Sequence, residues 1–226
     1  MRHPFTQIAV LLGLLLAAAW AQAQAQALPQ PSPQRVALAD VRMVASEGGR
    51  QTLKYLASCA LKEGMVLTAE HQGERLEFPG GLGLAPAWHQ RALNSAEQRW
   101  LSACLLARTN FFGVPVQLSM RSDFPSNAPG LHELTDADAP YTLEEGAFFG
   151  NLFSPKPTRY VCGPQHDAQK RALFEAKKRL CALPNERGIS ACGMVYVGEC
   201  NTANLKQDGI DYRETVSIFL EPPVEK

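Results

Sequence analysis

Six cysteines constrain the fold of this 226-residue chain more than any other feature of its sequence. They are Cys59, Cys104, Cys162, Cys181, Cys192 and Cys200. An even number of cysteines in an exported chain predicts three disulfides, whose connectivity the sequence alone leaves open. A metal site needs closely spaced ligands, and the sequence contains neither C-x-x-C nor H-x-x-x-H. We therefore predict disulfides, and we predict neither a metal site nor a cofactor.

The N-terminal residues predict export. Arg2 and His3 give a positive start, and Ile8 to Ala19 follow without a charge. As a helix this run spans roughly 18 Å, which is too short for the ~30 Å core of a membrane but fits a signal peptide. A-x-A cleavage patterns end at Ala21, Ala23, Ala25 and Ala27. We predict a signal peptide over residues 1–21, cut after Ala21 because that site lies closest to the apolar run.

The charge balance limits the classes of partner. Without residues 1–21 the chain has 21 basic and 22 acidic residues, a formal charge of −1. Nucleic acids and anionic membrane surfaces both require a concentrated positive field, so neither is expected as the main partner. No later stretch is long and apolar enough to span a membrane, and the mature chain is therefore predicted to be soluble.

The mature chain divides into a leader and one domain. Residues 22–34 are rich in Ala, Gln and Pro and nearly uncharged, which predicts a flexible leader. Residues 35–226 are long enough for a well-cored domain. Helical and alternating patterns follow one another in this region, so we predict a single disulfide-stapled α+β domain with about three helices and short antiparallel strands.

Apolar spacing and capping residues locate the helices. Leu53, Leu56 and Ala57 fall on one face of a helix predicted over Gln51 to Lys62. A second helix is expected to begin at Ser95, with Gln98 completing a capping box, and to end near Thr109. A third is expected from its cap at Asp167 to Cys181. Alternating residues predict strands over Met65–Glu70, Arg75–Phe78, Val114–Met120, Arg159–Cys162, Val195–Val197 and Thr215–Leu220.

These placements favour one particular disulfide. Cys59 and Cys104 lie on the apolar faces of the first two predicted helices, so a bridge between them would join helix to helix. The four later cysteines would then form two bridges among themselves. They would tie the third helix to the C-terminal strands.

Residues able to perform catalysis are present, but no catalytic motif is. Glu144 and Glu145 are adjacent, so on a strand they point to opposite faces and make a poor acid–base pair; solvated charge is the simpler interpretation. The histidines His71, His89, His132 and His166 are scattered through predicted loops. Asp136-Ala137-Asp138 lacks the third acid and the glycine of a calcium loop.

The glycine-rich and aromatic segments are better explained by structural roles than by ligand binding. Gly80 to Pro86 lacks the Lys-Ser/Thr ending of a phosphate-binding loop, so we interpret it as a glycine-permitted turn. Phe148, Phe149 and Phe153 suit core packing better than a ligand surface. Trp88 and Trp100 flank a loop and a helix start, where a sugar platform has no further support.

Several segments carry a resemblance. They are Tyr55–Leu61, Gly81–Trp88, Gln98–Asn110 and Glu145–Phe153. Over Leu53 to Cys162 the chain resembles a group of uncharacterised secreted proteins and lipoproteins of Gram-negative bacteria, notably myxobacteria. The resemblance implies export and cysteine pairing, and it supplies no catalytic residues. No cysteine precedes Cys59, so the lipid anchor of the lipoprotein members does not carry over.

Three functional hypotheses follow. The favoured one is a secreted or periplasmic binding domain without enzymatic activity, acting on an extracellular or envelope ligand. The second is a secreted hydrolase of glycans, esters or peptides that uses loop residues such as His132, Glu144 or Glu145. The third is a structural protein of the cell envelope.

Overall fold

The computed structural model describes residues 43–122, 131, 135–164 and 167–223. The predicted signal peptide and leader lie outside the described residues, as do His132 and His166. The helices are α1 (Glu47–Ala60), α2 (Ser95–Arg108) and α3 (Ala168–Ala176). The strands are β1 (Val66–His71), β2 (Glu74–Pro79), β3 (Ser119–Arg121), β4 (Leu143–Asn151), β5 (Thr158–Cys162), β6 (Val195–Tyr196), β7 (Lys206–Gln207), β8 (Ile210–Asp211) and β9 (Val216–Leu220).

The fold is α+β, as the sequence predicts. Five strands form a mixed sheet in the order β3-β9-β4-β5-β6, antiparallel except for the β5–β6 pair. β1 and β2 form a separate hairpin, and β7 and β8 a second one. The first hairpin turns at Gln72 and Gly73, which both have positive φ angles, as a type I′ turn requires. The hairpin predicted around this pair is confirmed.

The two faces of the five-stranded sheet cover different cores. Phe148 of β4 and Ile218 of β9 are fully buried in the main core with α1 and α2. Phe149 points to the other face, where it packs against Tyr160 and Tyr212. The prediction that these phenylalanines pack in the core is confirmed. Because they are successive residues of β4, their side chains point to opposite faces of the sheet.

Helix α2 lies between α1 and the sheet. Its capping box is formed by Asn94 and Glu97, since the Asn94 side chain accepts from the Glu97 N–H at 2.9 Å and Glu97 Oε2 accepts from the Asn94 N–H at 2.8 Å. The predicted cap at Ser95 with Gln98 is therefore wrong by one residue. Arg91 favours the observed register because its guanidinium contacts the Glu97 carboxylate at 2.7 Å.

Helix α3 starts at the predicted Asp167 cap but ends at Ala176, well short of the predicted Cys181. Lys178 adopts a left-handed φ of 59°, and the Arg179 N–H bonds the Phe174 carbonyl at 2.8 Å. This is a Schellman ending, in which glycine usually occupies the left-handed position. A lysine there gives no sequence signal, which explains why the helix was predicted too long.

The strand predicted over Val114–Met120 is only partly formed. Ser119–Arg121 pair with β9, whereas Val114 to Leu118 lead into β3 without a strand partner.

Three disulfides join Cys59 to Cys104, Cys162 to Cys200 and Cys181 to Cys192. No cysteine of the chain is left free. The predicted bridge between the first two helices is thus confirmed, and so is pairing among the four later cysteines. The first bridge holds α1 against α2, and the third closes the chain that follows α3.

Candidate functional site

A cleft of about 930 Å³ opens between α1, the end of α2 and the chain from Gly113 to Leu118. This volume lies near the top of the range that small-ligand pockets occupy. Met120, Tyr141, Leu152 and Arg179 close its remaining side.

Helix periodicity explains the α1 wall of this cleft. Leu53 and Leu56 are buried in the core, which turns Gln51, Lys54 and Tyr55 towards the cleft. The three residues are spaced as neighbours on one helix surface. The cleft wall is therefore the polar face that every amphipathic helix must leave uncovered.

A tight turn after α2 places the opposite wall. The Asn110 side chain accepts from the Phe112 N–H at 2.9 Å and donates to the Val114 carbonyl at 2.7 Å. Gly113 has a φ of +64°, a conformation that residues with a side chain adopt at a cost. Together these two residues reverse the chain, so that Val114 to Leu118 run along the cleft.

Arg108, the last residue of α2, is the most distinctive group in the cleft. Its Nη1 donates to Ser58 Oγ at 2.9 Å, its Nε lies 3.4 Å from Met120 Sδ, and its Cζ lies 5.9 Å from the Tyr55 ring centroid. Burial lowers the pKa of Arg108, yet a guanidinium remains protonated in proteins. No carboxylate in the described part of the chain forms an ion pair with it.

The described lining of the cleft has one sign of charge. Its ionised side chains are Lys54, Arg108 and Arg179, and none of the described lining residues is Asp or Glu. Apolar side chains supply the rest of the surface, chiefly Leu105, Val116, Leu118, Met120 and Leu152. The cleft thus combines a positive end with apolar walls.

Arg179 differs from Arg108 because its hydrogen bonds are made within the protein. Its Nε donates to Glu145 Oε2 at 2.8 Å, its Nη1 to the Thr109 carbonyl at 2.9 Å and its Nη2 to the Ala107 carbonyl at 3.0 Å. It is 1% exposed and Glu145 is fully buried. Burial raises the pKa of Glu145, and the guanidinium opposes that shift. Arg179 therefore ties the end of α2 to β4.

This ion pair overturns the interpretation of Glu145 as solvated charge. A carboxylate sealed in the core and held by Arg179 does not reach a substrate, so the structure gives Glu145 no place in hydrolysis. Glu144 lies half-buried beside a smaller cavity of about 290 Å³ next to the Cys162–Cys200 bridge. The structure does not bring these two residues to one site.

The other described candidate residues named from the sequence lie outside the cleft lining. His71 ends β1, His89 ends a short 3₁₀ turn, and Trp88 is only 2% exposed, which removes it as a sugar platform. Asp138 accepts from Ser119 Oγ at 2.6 Å and from the Thr135 N–H and hydroxyl, bonds that lower its pKa to about 2.

The described residues also bear on two other kinds of site. They contain no group of three or more His, Cys, Asp or Glu side chains placed to hold a metal ion. They also contain no helix that is both long and apolar enough to cross a bilayer.

Sequence reasoning missed the cleft residues. Arg108 ends a helix, where a basic residue is ordinary because it complements the helix dipole. Only the packing of α1 and β3 around it shows that its charge has no acidic partner in the described part of the chain. No model of a known protein family matches the chain, and comparisons with curated proteins and with solved structures found no match.

Proposed function

We propose that this protein is an exported, non-enzymatic binding domain whose cleft takes an anionic ligand with an apolar part. The observation behind the proposal is Arg108, a half-buried guanidinium with no acidic partner among the described residues. An arginine in such a place stays charged, so a bound anion would provide the compensation that the protein itself does not.

The geometry of the guanidinium supports this ligand chemistry. Two of its nitrogens contact Met120 and Ser58, and Nη2 has no hydrogen-bond partner in the described structure. Nη2 is not fully buried, and Arg108 is one of the residues that line the cleft. A carboxylate or phosphate that approaches Nη2 would form a charge-assisted hydrogen bond.

Export is the second part of the proposal. It is supported by the N-terminal residues 1–21 and by the pairing of all six cysteines. Disulfides persist in the periplasm and outside the cell, whereas the cytosol reduces them. The protein would therefore meet its ligand in the envelope or the medium.

The test is a binding titration of the purified, oxidised protein with octanoate and phenylacetate, each compared with its uncharged amide. We expect the acids to bind and the amides to bind much more weakly. Arg108→Gln should weaken acid binding by tenfold or more, because a hydrogen bond to a charged group contributes roughly 1.5–3 kcal/mol. Isothermal titration calorimetry measures both quantities.

A matched control separates the cleft from the overall charge. Arg75→Gln removes the same charge from the hairpin, where the Arg75 side chain is 67% exposed and lies outside the cleft. It should leave acid binding unchanged. Equal affinity for acids and amides, or an equal loss in both variants, would contradict the proposal.

A further inference from the structure

The chain beside the cleft has free main-chain groups. Between Val114 and Leu118 no residue makes a main-chain to main-chain hydrogen bond within the described structure. The Val114 carbonyl accepts from the Asn110 side chain, and Pro115 has no N–H to donate. The N–H groups of Val116, Gln117 and Leu118 therefore have no hydrogen-bond partner among the described residues.

This stretch continues the edge of the main sheet. It leads directly into β3, which pairs with β9 on one side only. From Val116 to Leu118 the side chains alternate between half-buried and exposed, the period of a strand. An open edge of this kind is a template on which another extended chain can add as a strand.

The charged end of the cleft lies next to the same edge. Arg108 Nε is 3.4 Å from the sulfur of Met120, which is in β3. Lys54 lies on the facing helix, and no acid is among the described residues that line the cleft. A peptide lying along the edge would bring a carboxylate to Arg108 while its side chains contact Leu105 and Leu118.

We infer that the ligand of the cleft is an extended peptide, which pairs as a strand with the main chain of Val116–Leu118 and places a carboxylate on Arg108. The inference rests on the proposed function and specifies its ligand class. The carboxylate is either the C-terminus of the peptide or an Asp or Glu side chain. The chain's own leader is a poor occupant, since residues 22–34 contain no acid.

Exposed apolar residues in the cleft wall and in the turn before it extend the complementary surface. Phe111, in the turn before Gly113, is 58% exposed, and Val114 is 43% exposed. Exposed apolar side chains beside a groove are typical of surfaces that contact a partner. They add area for peptide residues beyond the pairing strand.

The first experiment selects from a library of short random peptides displayed with free C-termini. We expect selected peptides to bind the oxidised protein, and N-methylation of alternate amides to weaken binding by roughly tenfold for each lost hydrogen bond. Amidated peptides and Asp/Glu→Asn/Gln peptides then separate the two sources of the carboxylate. Peptides that bind equally well in N-methylated form would overturn the inference.

Substitutions on the protein side test the same hydrogen bonds. Neighbouring amides of an extended chain point to opposite edges, so one of Val116 and Gln117 has its N–H on the open side. We expect Val116→Pro or Gln117→Pro to weaken peptide binding by about tenfold. Val116→Ala and Gln117→Ala shorten the side chain but keep the N–H, so each should lose less affinity than the proline variant at the same position.

The two proposals fail in different ways. If octanoate binding depends on Arg108 but neither proline variant changes peptide affinity, strand pairing is wrong and the anion site stands. If neither acids nor peptides bind, both are wrong. Retained octanoate binding in the proline variants shows that they are folded, so loss of peptide binding alone supports the inference.

Discussion

Two arginines line the same cleft but differ in the partners that the protein supplies to them. Arg179 donates to one carboxylate and two carbonyls and is 1% exposed. Arg108 donates to one hydroxyl and contacts one sulfur, with no carboxylate partner among the described residues. The comparison shows that a positive residue in a cleft is not by itself a ligand site. The partners that the protein already supplies decide whether its charge is structural or available.

Among the substitutions that test this comparison, replacing Arg179 should change the free energy of unfolding most. Arg179→Met leaves the Glu145 carboxylate buried without its cation and frees two carbonyls at the end of α2. Breaking a buried ion pair from one side costs about 3–5 kcal/mol, so we expect the free energy of unfolding to fall by that amount. Urea denaturation monitored by circular dichroism measures it.

A double variant identifies the cause of the loss. Arg179→Met with Glu145→Leu removes both charges, and replacing a buried pair by apolar residues is often close to neutral. We expect the double variant to be more stable than Arg179→Met alone. If it is no more stable, then the carbonyls at the end of α2, rather than the uncompensated charge, account for the loss.

Features with local signals could be predicted from the sequence. Apolar spacing placed Cys59 and Cys104 on facing helices, and their bridge follows from that placement. The hairpin followed from Gln72-Gly73 between alternating residues. In each case a few adjacent residues determine the geometry, so the sequence suffices.

Features that depend on residues far apart in the sequence could not be predicted. Arg179 enters the core because the Schellman turn at Lys178 directs it there and because Glu145, far away in sequence, compensates it. Likewise, Arg108 has no acidic partner among the described residues because its contacts come from α1 and β3, which pack around it. Neither set of contacts can be predicted from the spacing of residues in the sequence.

Each arginine has a disulfide nearby, so removing each bridge is a further test of the difference between the two arginines. The Cys181–Cys192 bridge closes a sequence separation of 11 beside Arg179, and Cys59–Cys104 a separation of 45 beside Arg108. By loop-closure entropy, removal by paired Cys→Ala substitutions should cost about 3 and about 4 kcal/mol respectively. Urea denaturation ranks the two variants.

Removing Cys59–Cys104 should also reduce ligand affinity more than removing Cys181–Cys192 does. Removal of Cys59–Cys104 frees α1 from α2, the helices that bear Lys54 and Arg108, so octanoate affinity should fall under conditions where the variant is still folded. Removal of Cys181–Cys192 loosens the chain around an arginine whose hydrogen bonds stay within the protein, and affinity should change less. The reverse order would mean that Arg179, rather than Arg108, contacts the ligand.

The smallest expected change in stability is also the most informative. Arg108→Met gives up one hydrogen bond from a charged donor to Ser58, worth about 1.5–3 kcal/mol, and relieves the desolvation of a half-buried charge. These contributions oppose each other, so the free energy of unfolding should change by no more than about 1 kcal/mol. Thermal denaturation without ligand, beside the octanoate titration, measures both properties of the same variant. A large loss of stability would place Arg108 with Arg179 among the structural residues, whereas unchanged stability with lost binding identifies a charge that the fold leaves available for a ligand.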